Sequence, residues 1–396
     1  METPYFVIDK QILDDYCELL EHSLKNNWNN YTIGYSFKTN SLPWLIKTVK
    51  ERGMLAEVVS HDEYLLAKHM GYKDSEIIYN GPYKAEESFK NVLLGGGIVN
   101  LDSKREVNLL TELASNHKNR IIKVGIRVNF NLEKLCPGET TMGEESGRFG
   151  FCYENGAVKE VIYHLDKFSN IEIAGLHLHS SSKTRSLNIF KNIARFACKL
   201  KEEYNLKLDY VDIGGGFCGG LEGRPEYNDY FPVIAKELNK NFSAEQTRLI
   251  VEPGISLISK CSQFVTTVYD VKDIRDTRFI MTDGSRFNID ATMIKDSYIY
   301  HVNYNQDNSE REIIDNQSIT GYTCMECDRL FEMKCGKELY PGDQIIYENV
   351  GGYTMSLNPL FIQYFPAVYV KDHGKLNLVR RKWTPKDYIS GSVLEN

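Results

Sequence analysis

The stretch LDYVDIGGG, residues 208–216, decides how the chain is read. A run of strand-forming residues ends in three glycines, the form of a buried strand handing over to a tight backbone turn. Seven further runs share that form: YTIGYSFK (31–38), MLAEVV (54–59), EIIYNG (76–81), GIVNLD (97–102), IIKVGIRVN (121–129), IEIAGLHLH (171–179) and RLIVEPG (248–254). Helical spacing fills stretches between them, as in SHDEYLLAKHMG (60–71) and SKREVNLLTELASNHK (103–118). Eight strands alternating with helices predict an α/β fold, a (β/α)8 TIM-like barrel, with a doubly wound open sheet as the competing arrangement.

Two segments depart from the alternation. NFNLEKLCPGETTMGEESGRFGF (129–151) is long, polar and glycine-bearing, and reads as an active-site loop. Beyond residue 265, runs such as QFVTTVYDVKDI, TRFIMTDG and DQIIYENVGG are turn-punctuated and β-rich, without regular helices between them. The expected domains are therefore a barrel over 25–265 and an all-β domain over 266–396. The segment 1–24 joins the latter through PYFVID, whose alternative is a strand capping the barrel.

A chain of 396 residues, 42% apolar and 26% charged, is an ordinary globular protein with a large core. Its net charge of −7 supplies no basic field for nucleic acid or an anionic membrane. The opening METPYFVIDK has no secretory signal, and no apolar run is long enough to span a bilayer. Nine scattered cysteines read as free thiols in a reducing, cytoplasmic setting.

The active site of such a barrel lies at the C-terminal strand ends. Lys38 ends the first run, Arg127 the fifth, and His177 and His179 the sixth; Gly214, Gly215 and Gly216 follow the seventh, and Glu252 and Gly254 close the eighth. A lone lysine is an ordinary surface charge, but this one shares a mouth with all the others. Three glycines let backbone N–H groups approach an anion closely, which after a late barrel strand suits a phosphate; a plain tight turn is the alternative. The spacing is not a dinucleotide-binding fingerprint. HLHSSS offers two imidazoles on one face, suited to stacking or hydrogen bonding beside a ligand; no third ligand sits at a metal-binding spacing, so no metal is expected. Cys324 and Cys327 form a C-x-x-C pair, but no second pair completes a zinc set and no thioredoxin-like context surrounds it.

Taken in order, YSFKTN, AEVVSHDE, GPYKAEE, GIRVN, SGRFGF, GLHLHSSS, DIGGGF, EPG, TCMECD and ENVGGYT resemble the fold-type III pyridoxal-phosphate decarboxylases, the group of ornithine, arginine and diaminopimelate decarboxylases. The resemblance covers nearly the whole chain. It implies pyridoxal 5'-phosphate as cofactor, a small amino-acid substrate, and a head-to-tail homodimer with shared active sites. Lys38 then matches the lysine that carries the cofactor as a Schiff base, His179 the histidine stacked on its ring, and His177 that histidine's variable neighbour. Ser182, Gly216, Gly254 and Tyr353 match phosphate contacts, with Gly214 and Gly215 completing the turn, and Glu252 matches the carboxylate beside the pyridine nitrogen. Cys324 matches the proton donor contributed across the dimer interface, and Asp328 an acidic position just after it.

The residue types suit that chemistry. A Schiff-base lysine must shed a proton, and a carboxylate beside the ring nitrogen keeps the ring a strong electron sink. A racemase of the same fold places an arginine there, so Glu252 favours decarboxylation. The departures fall elsewhere. EPGIS puts Ile255 where an arginine usually helps neutralise phosphate, with Arg127 or a hydroxyl as its candidate replacement, and HSSS puts Ser181 where a glycine is usual. Diaminopimelate enzymes place an arginine at the position of Asp290 and a glutamate at that of Met325, and ornithine enzymes an aspartate at the latter. Asp290, Met325, Asp328 and Tyr353 are thus the substrate-contact candidates. The expected function is decarboxylation of an amino acid or amino-acid conjugate in a specialised pathway, not of diaminopimelate itself. The alternatives are an amino-acid racemase or epimerase sharing Lys38, and a non-catalytic regulatory homologue motivated by the missing arginine.

Overall fold

The apolar runs form strands that pair in chain order until the last meets the first. In the computed structural model, which describes residues 1–305 and 310–393, the barrel strands are β1 (Tyr31–Ser36), β2 (Leu55–Val58), β3 (Ile77–Tyr79), β4 (Ile98–Leu101), β5 (Ile122–Asn129), β6 (Ile171–His177), β7 (Tyr210–Asp212) and β8 (Arg248–Val251). All pair in parallel, and β8 closes on β1 through Leu249↔Tyr31 and Ile250↔Thr32. The sheet is a closed barrel and not a doubly wound open sheet. Strands stop earlier than the apolar runs: β1 ends at Ser36, leaving Lys38 on a single 3-10 turn, Phe37–Thr39.

Inside the barrel, Ile78, Ala174, Tyr210 and Ile250 form a packed layer from β3, β6, β7 and β8. Room for the Tyr210 ring comes from two glycines, since a Cβ at Gly125 or Gly175 would lie 2.1 Å from a Tyr210 atom. Several outer helices start on serine caps: Ser60 accepts the Glu63 N–H, Ser103 that of Glu106, and Ser186 that of Ile189. The segment after β5 lacks regular structure until the two-residue strand Phe151–Cys152, which adds in parallel to β5.

The chain divides into two compact units, residues 17–256 and residues 1–16 with the chain from Leu257 on. The first division falls inside the helix Lys10–Asn27, earlier in the chain than 24/25. The second unit is mostly sheet. Tyr5–Asp9 lies centrally in it, antiparallel to Ser262–Ile274 and parallel to Ala367–Asp372. Tyr5, Val7, Val265 and Ala367 form a core cluster on one face of these strands. Contrary to the expectation of no regular helix here, Arg286–Ile289 and Pro385–Ile389 are short helices, each begun by a capping box, Ser285 with Asn288 and Thr384 with Asp387. Among the described residues, no helix is long and apolar enough to cross a membrane.

Candidate functional site

A belt of polar side chains runs around the mouth of the barrel where the strands end. Ser36 Oγ and Lys38 Nζ both donate to Glu57 Oε2 of β2, at 2.7 and 2.8 Å. The Lys38 side chain is 37% exposed while that of Glu57 is 1% exposed, so the amine faces the mouth and its counter-ion lies beneath it. Asn80, just past β3, donates to Glu57 Oε1 at 3.1 Å and also to Glu252 Oε1. Asn100 of β4 donates to Asn80 Oδ1 at 2.9 Å and accepts from the Tyr210 hydroxyl at 2.8 Å. One buried amide thus holds two carboxylates, one under Lys38 and one past the end of β8.

The lysine turn is set by the segment after β8. Ser36 N–H donates to the Pro253 carbonyl at 3.1 Å, and a Cβ at Gly254 would lie 2.2 Å from Thr39 Oγ1. Glycine at 254 therefore lets the two strand ends meet.

His177 and His179 present nearly parallel rings, 6.2 Å apart and 10° from coplanar orientation. The His179 Nδ1 accepts the Gly215 N–H at 3.2 Å. Burial lowers its pKa to about 3, the Arg127 and Lys38 charges push the same way, and only Glu252 opposes them. A neutral ring follows across the working pH range. His177 Nε2 stands 3.5 Å from Glu252 Oε2, and neither His177 ring nitrogen has a hydrogen-bond partner among the described residues. Burial raises the Glu252 carboxyl's pKa, but the neighbouring His177 ring and the Lys38 charge outweigh it and hold the group well below the usual carboxylate range.

This pattern predicts a pH effect on stability. Unfolded histidine takes a proton near pH 6.5 and folded His179 only near 3, so between these values the unfolded state binds more protons. Stability is therefore lost as pH falls through that window. His179→Phe should lower stability at neutral pH, because Gly215 loses its acceptor, and should flatten the slope of urea midpoint against pH between 6.5 and 3. An unchanged slope would assign the acid sensitivity elsewhere.

The three glycines differ in task. A Cβ at Gly214 would lie 2.4 Å from His179 atoms, and one at Gly215 would lie 2.0 Å from the Glu252 carbonyl oxygen. At Gly216, with φ of +89°, a Cβ would meet no described atom within 4 Å. Gly214 and Gly215 are glycine for close packing, and only Gly216 borders open space. Ser182 is otherwise engaged: its hydroxyl donates to the Glu139 carbonyl at 3.1 Å and accepts the Arg185 N–H at 2.8 Å. The Glu139 carboxylate accepts from Thr184, Ser186 and Asn188, so the long segment after β5 is clamped to the HSSS turn. Arg127 is buried, bound to Asp102 at 3.0 Å and stacked on Phe149. Part of its fork is therefore already committed.

In the second unit, Cys324 and Met325 are exposed and line an open groove with Phe279, Met281 and Arg329. Tyr353 is 41% exposed and adopts a left-handed φ of +57°. Asp328 and Asp290 depart from the expectation of substrate-facing acids, since both are buried and consumed locally. Asp328 accepts from Ser285 Oγ at 3.0 Å, the Arg286 N–H at 2.8 Å and the Thr323 N–H at 3.1 Å, which fixes the turn carrying Cys324. Asp290 accepts from Arg286 Nε at 2.9 Å, the Lys295 N–H at 3.0 Å and the Tyr298 hydroxyl at 3.3 Å.

Glu57, Asn80, Asn100 and Asp212 were missed by motif reading. The available signal was an acid inside an otherwise apolar run, Glu57 in MLAEVV and Asp212 in VDIGGG.

Comparison with known proteins agrees with this fold. The chain is 25% identical to diaminopimelate decarboxylase of Aquifex aeolicus over 98% of this chain and 90% of that one. It is 24% identical to a Niallia circulans enzyme named as a decarboxylase of L-glutamyl on the BtrI acyl-carrier protein, over 98% and 93%. The fold superposes on crystalline diaminopimelate decarboxylase of M. jannaschii with a TM-score of 0.86 at 22% identity, covering 100% of this chain and 93% of the other. Residues 16–259 match the family model of the pyridoxal-dependent decarboxylases, pyridoxal binding domain. That match spans the whole barrel and its polar mouth, and the chain belongs to the pyridoxal-dependent decarboxylase family, enzymes that remove carbon dioxide with pyridoxal phosphate as cofactor.

Proposed function

We propose that Lys38 holds pyridoxal phosphate at the barrel mouth and that the enzyme decarboxylates an amino acid whose far end is modified or conjugated. The observation that carries this reading is the Lys38 amine seated on Glu57 and joined through Asn80 to Glu252. The residues fit the cofactor. His177 offers ring nitrogens without a described partner, His179 offers a neutral ring face, and Gly216 leaves a space that a side chain would fill. Gly216 and Gly254 would hold its phosphate, joined by Ser182 if that hydroxyl turns from Glu139, and by Tyr353.

The bound cofactor supplies an electron-accepting ring that draws charge from the α-carbon as the bond to CO₂ breaks. Glu57 takes up the charge of Lys38 while the amine is protonated. Glu252, kept ionised, holds a proton at the ring nitrogen. Cys324 Sγ gives its proton to the α-carbon, leaving a thiolate that is reprotonated from solvent. Cys324 is here the donor supplied by a second copy of the chain, so this reading includes a homodimer with shared sites.

Support for the substrate comes from two positions. Asp290, where a clamp for a distal carboxylate would need a cation, is already neutralised by Arg286, and Met325 brings no charge. A relative acting on a carrier-bound glutamyl group is about as similar as those acting on diaminopimelate. A screen for CO₂ release should favour amino acids acylated or thioesterified at the far end over diaminopimelate and ornithine. Rapid turnover of either free amino acid would sink the substrate assignment.

Cys324→Ala should slow turnover by about 10²- to 10⁴-fold, the usual weight of a positioned proton donor. The lysine-linked visible absorbance should remain. Mixing this variant with Lys38→Ala should restore part of the activity, since one hybrid site would have both residues. Wild-type turnover by Cys324→Ala alone would remove its assigned role.

A further inference from the structure

Asp212 is the buried acid of the mouth to which the reading above gives no task. It ends β7 and is 0% exposed. Its Oδ1 accepts the Gly214 N–H at 2.9 Å, but its Oδ2 is buried with no hydrogen-bond partner among the described residues. What lies beside it is acidic or aromatic. Ligand atoms of Asp212, Glu252 and His177 lie within 4.8 Å of one another. Backbone closes the arrangement: Gly214 gives its N–H to Asp212 and takes the Glu252 N–H on its carbonyl at 2.9 Å. The two carboxyls thus hang from neighbouring strand ends joined through a single glycine.

Two adjacent carboxyls shielded from water do not both ionise at ordinary cost. Glu252 has partners that favour its charge, namely the Asn80 amide and the nearby His177 ring. Asp212 has one backbone N–H on one oxygen and nothing on the other. A proton on Oδ2 turns that oxygen from an unsatisfied acceptor into a donor.

We propose that Asp212 is held protonated and donates its Oδ2 proton to Glu252, acting as a positioning residue that fixes Glu252 as the single anion of the pair. The groups around Asp212 agree. Glu252 faces it from β8 and His177 from β6, Glu57 acts on it from β2, and Tyr210 shares its strand. Burial is the largest influence raising its pKa well above the usual range, followed by the Glu252 charge, with Glu57 adding to it and the Gly214 N–H opposing. The Lys38 charge acts on Glu252 and reinforces the split. The shared proton stands on this geometry alone. Its consequence rests on the reading of Glu252 as the carboxylate facing the cofactor: Gly214 would then index that carboxylate and the phosphate-side glycine turn to one backbone unit.

The test uses the full-length enzyme with and without added pyridoxal phosphate. Infrared spectra at neutral pH should contain a protonated-carboxyl C=O band that is missing in Asp212→Asn. Asp212→Ala should weaken cofactor affinity by about 10- to 100-fold, the worth of one hydrogen bond to a charged group. Asp212→Asn, whose amide also donates, should restore most of that loss. Should Asp212→Ala fail to fold, the band and the affinity of Asp212→Asn decide. Loss of affinity as great in Asp212→Asn as in Asp212→Ala, a wild-type spectrum without such a band, or a stoichiometric metal ion in the purified protein would each overturn the proposal. A band that disappears as expected, with cofactor affinity unmoved in every variant, would instead leave the proton in place and overturn the cofactor-facing role of Glu252.

Discussion

Lys38→Ala should yield a folded protein without the lysine-linked visible absorbance and with decarboxylation reduced by about 10⁴-fold or more, the upper end for a single reacting group. The fold should tolerate it because the Lys38 side chain is 37% exposed and packs no core. What changes is Glu57, which is buried and keeps Ser36 and Asn80 as donors while losing its cation. That leaves a modest cost, about 1–3 kcal/mol, for a charge with fewer partners. Loss of activity far larger than loss of stability is therefore the signature. Spectra recorded across pH, urea unfolding and CO₂ release on the same preparation would read it. A Lys38→Ala protein that keeps both absorbance band and turnover would move the reacting amine to another residue.

The largest effect on stability is expected at a different lysine. Lys84 is 0% exposed, its ammonium bonded to both Glu106 oxygens at 3.0 and 3.1 Å and to the Gly81 carbonyl at 2.8 Å. Burial pushes the Lys84 pKa down and that of Glu106 up, each toward the neutral form, with the mutual attraction opposing. The pair therefore contributes little net stability, yet breaking it is costly. Lys84→Met leaves Glu106 buried without its cation, held among the described residues by the Asp102 N–H at 2.8 Å, and should cost about 3–5 kcal/mol. Glu106→Leu added to Lys84→Met should recover most of that loss. Urea midpoints of the four proteins in the cycle measure it. Additive losses in the double variant would show that the two side chains act independently.

The barrel was legible because parallel strands buried on both faces are continuous apolar runs, and LDYVDIGGG has seven counterparts. Lys38, His179 and Glu252 were legible because each ends such a run. The belt beneath them was not. Glu57 and Asp212 sit within runs read as core, and their neighbours come from other strand ends, Ser36, Lys38 and Asn80 beside Glu57 and Glu252 beside Asp212, brought together only when the strands pair. Local chemistry misled in the second unit. Asp290 looked available, but Arg286 lies four residues before it, a spacing at which helical side chains meet. Asp328 likewise spends its oxygens on neighbouring amides and a serine. Ser182 was drawn aside by Glu139, part of a segment whose polarity suggested function but not the partner it would choose.

The central position of Tyr5–Asp9 has a consequence for synthesis. Its parallel partner, Ala367–Asp372, leaves the ribosome after the whole of 17–256. The barrel is contiguous and its strands pair mainly with neighbours in the chain, so it can form while the rest is being made. The first strand must meanwhile wait, one edge until Ser262–Ile274 emerges and the other until Ala367–Asp372 does. The edge that waits for Ala367–Asp372 is therefore the one most prone to stray strand pairing, because it stays open after the other has been covered.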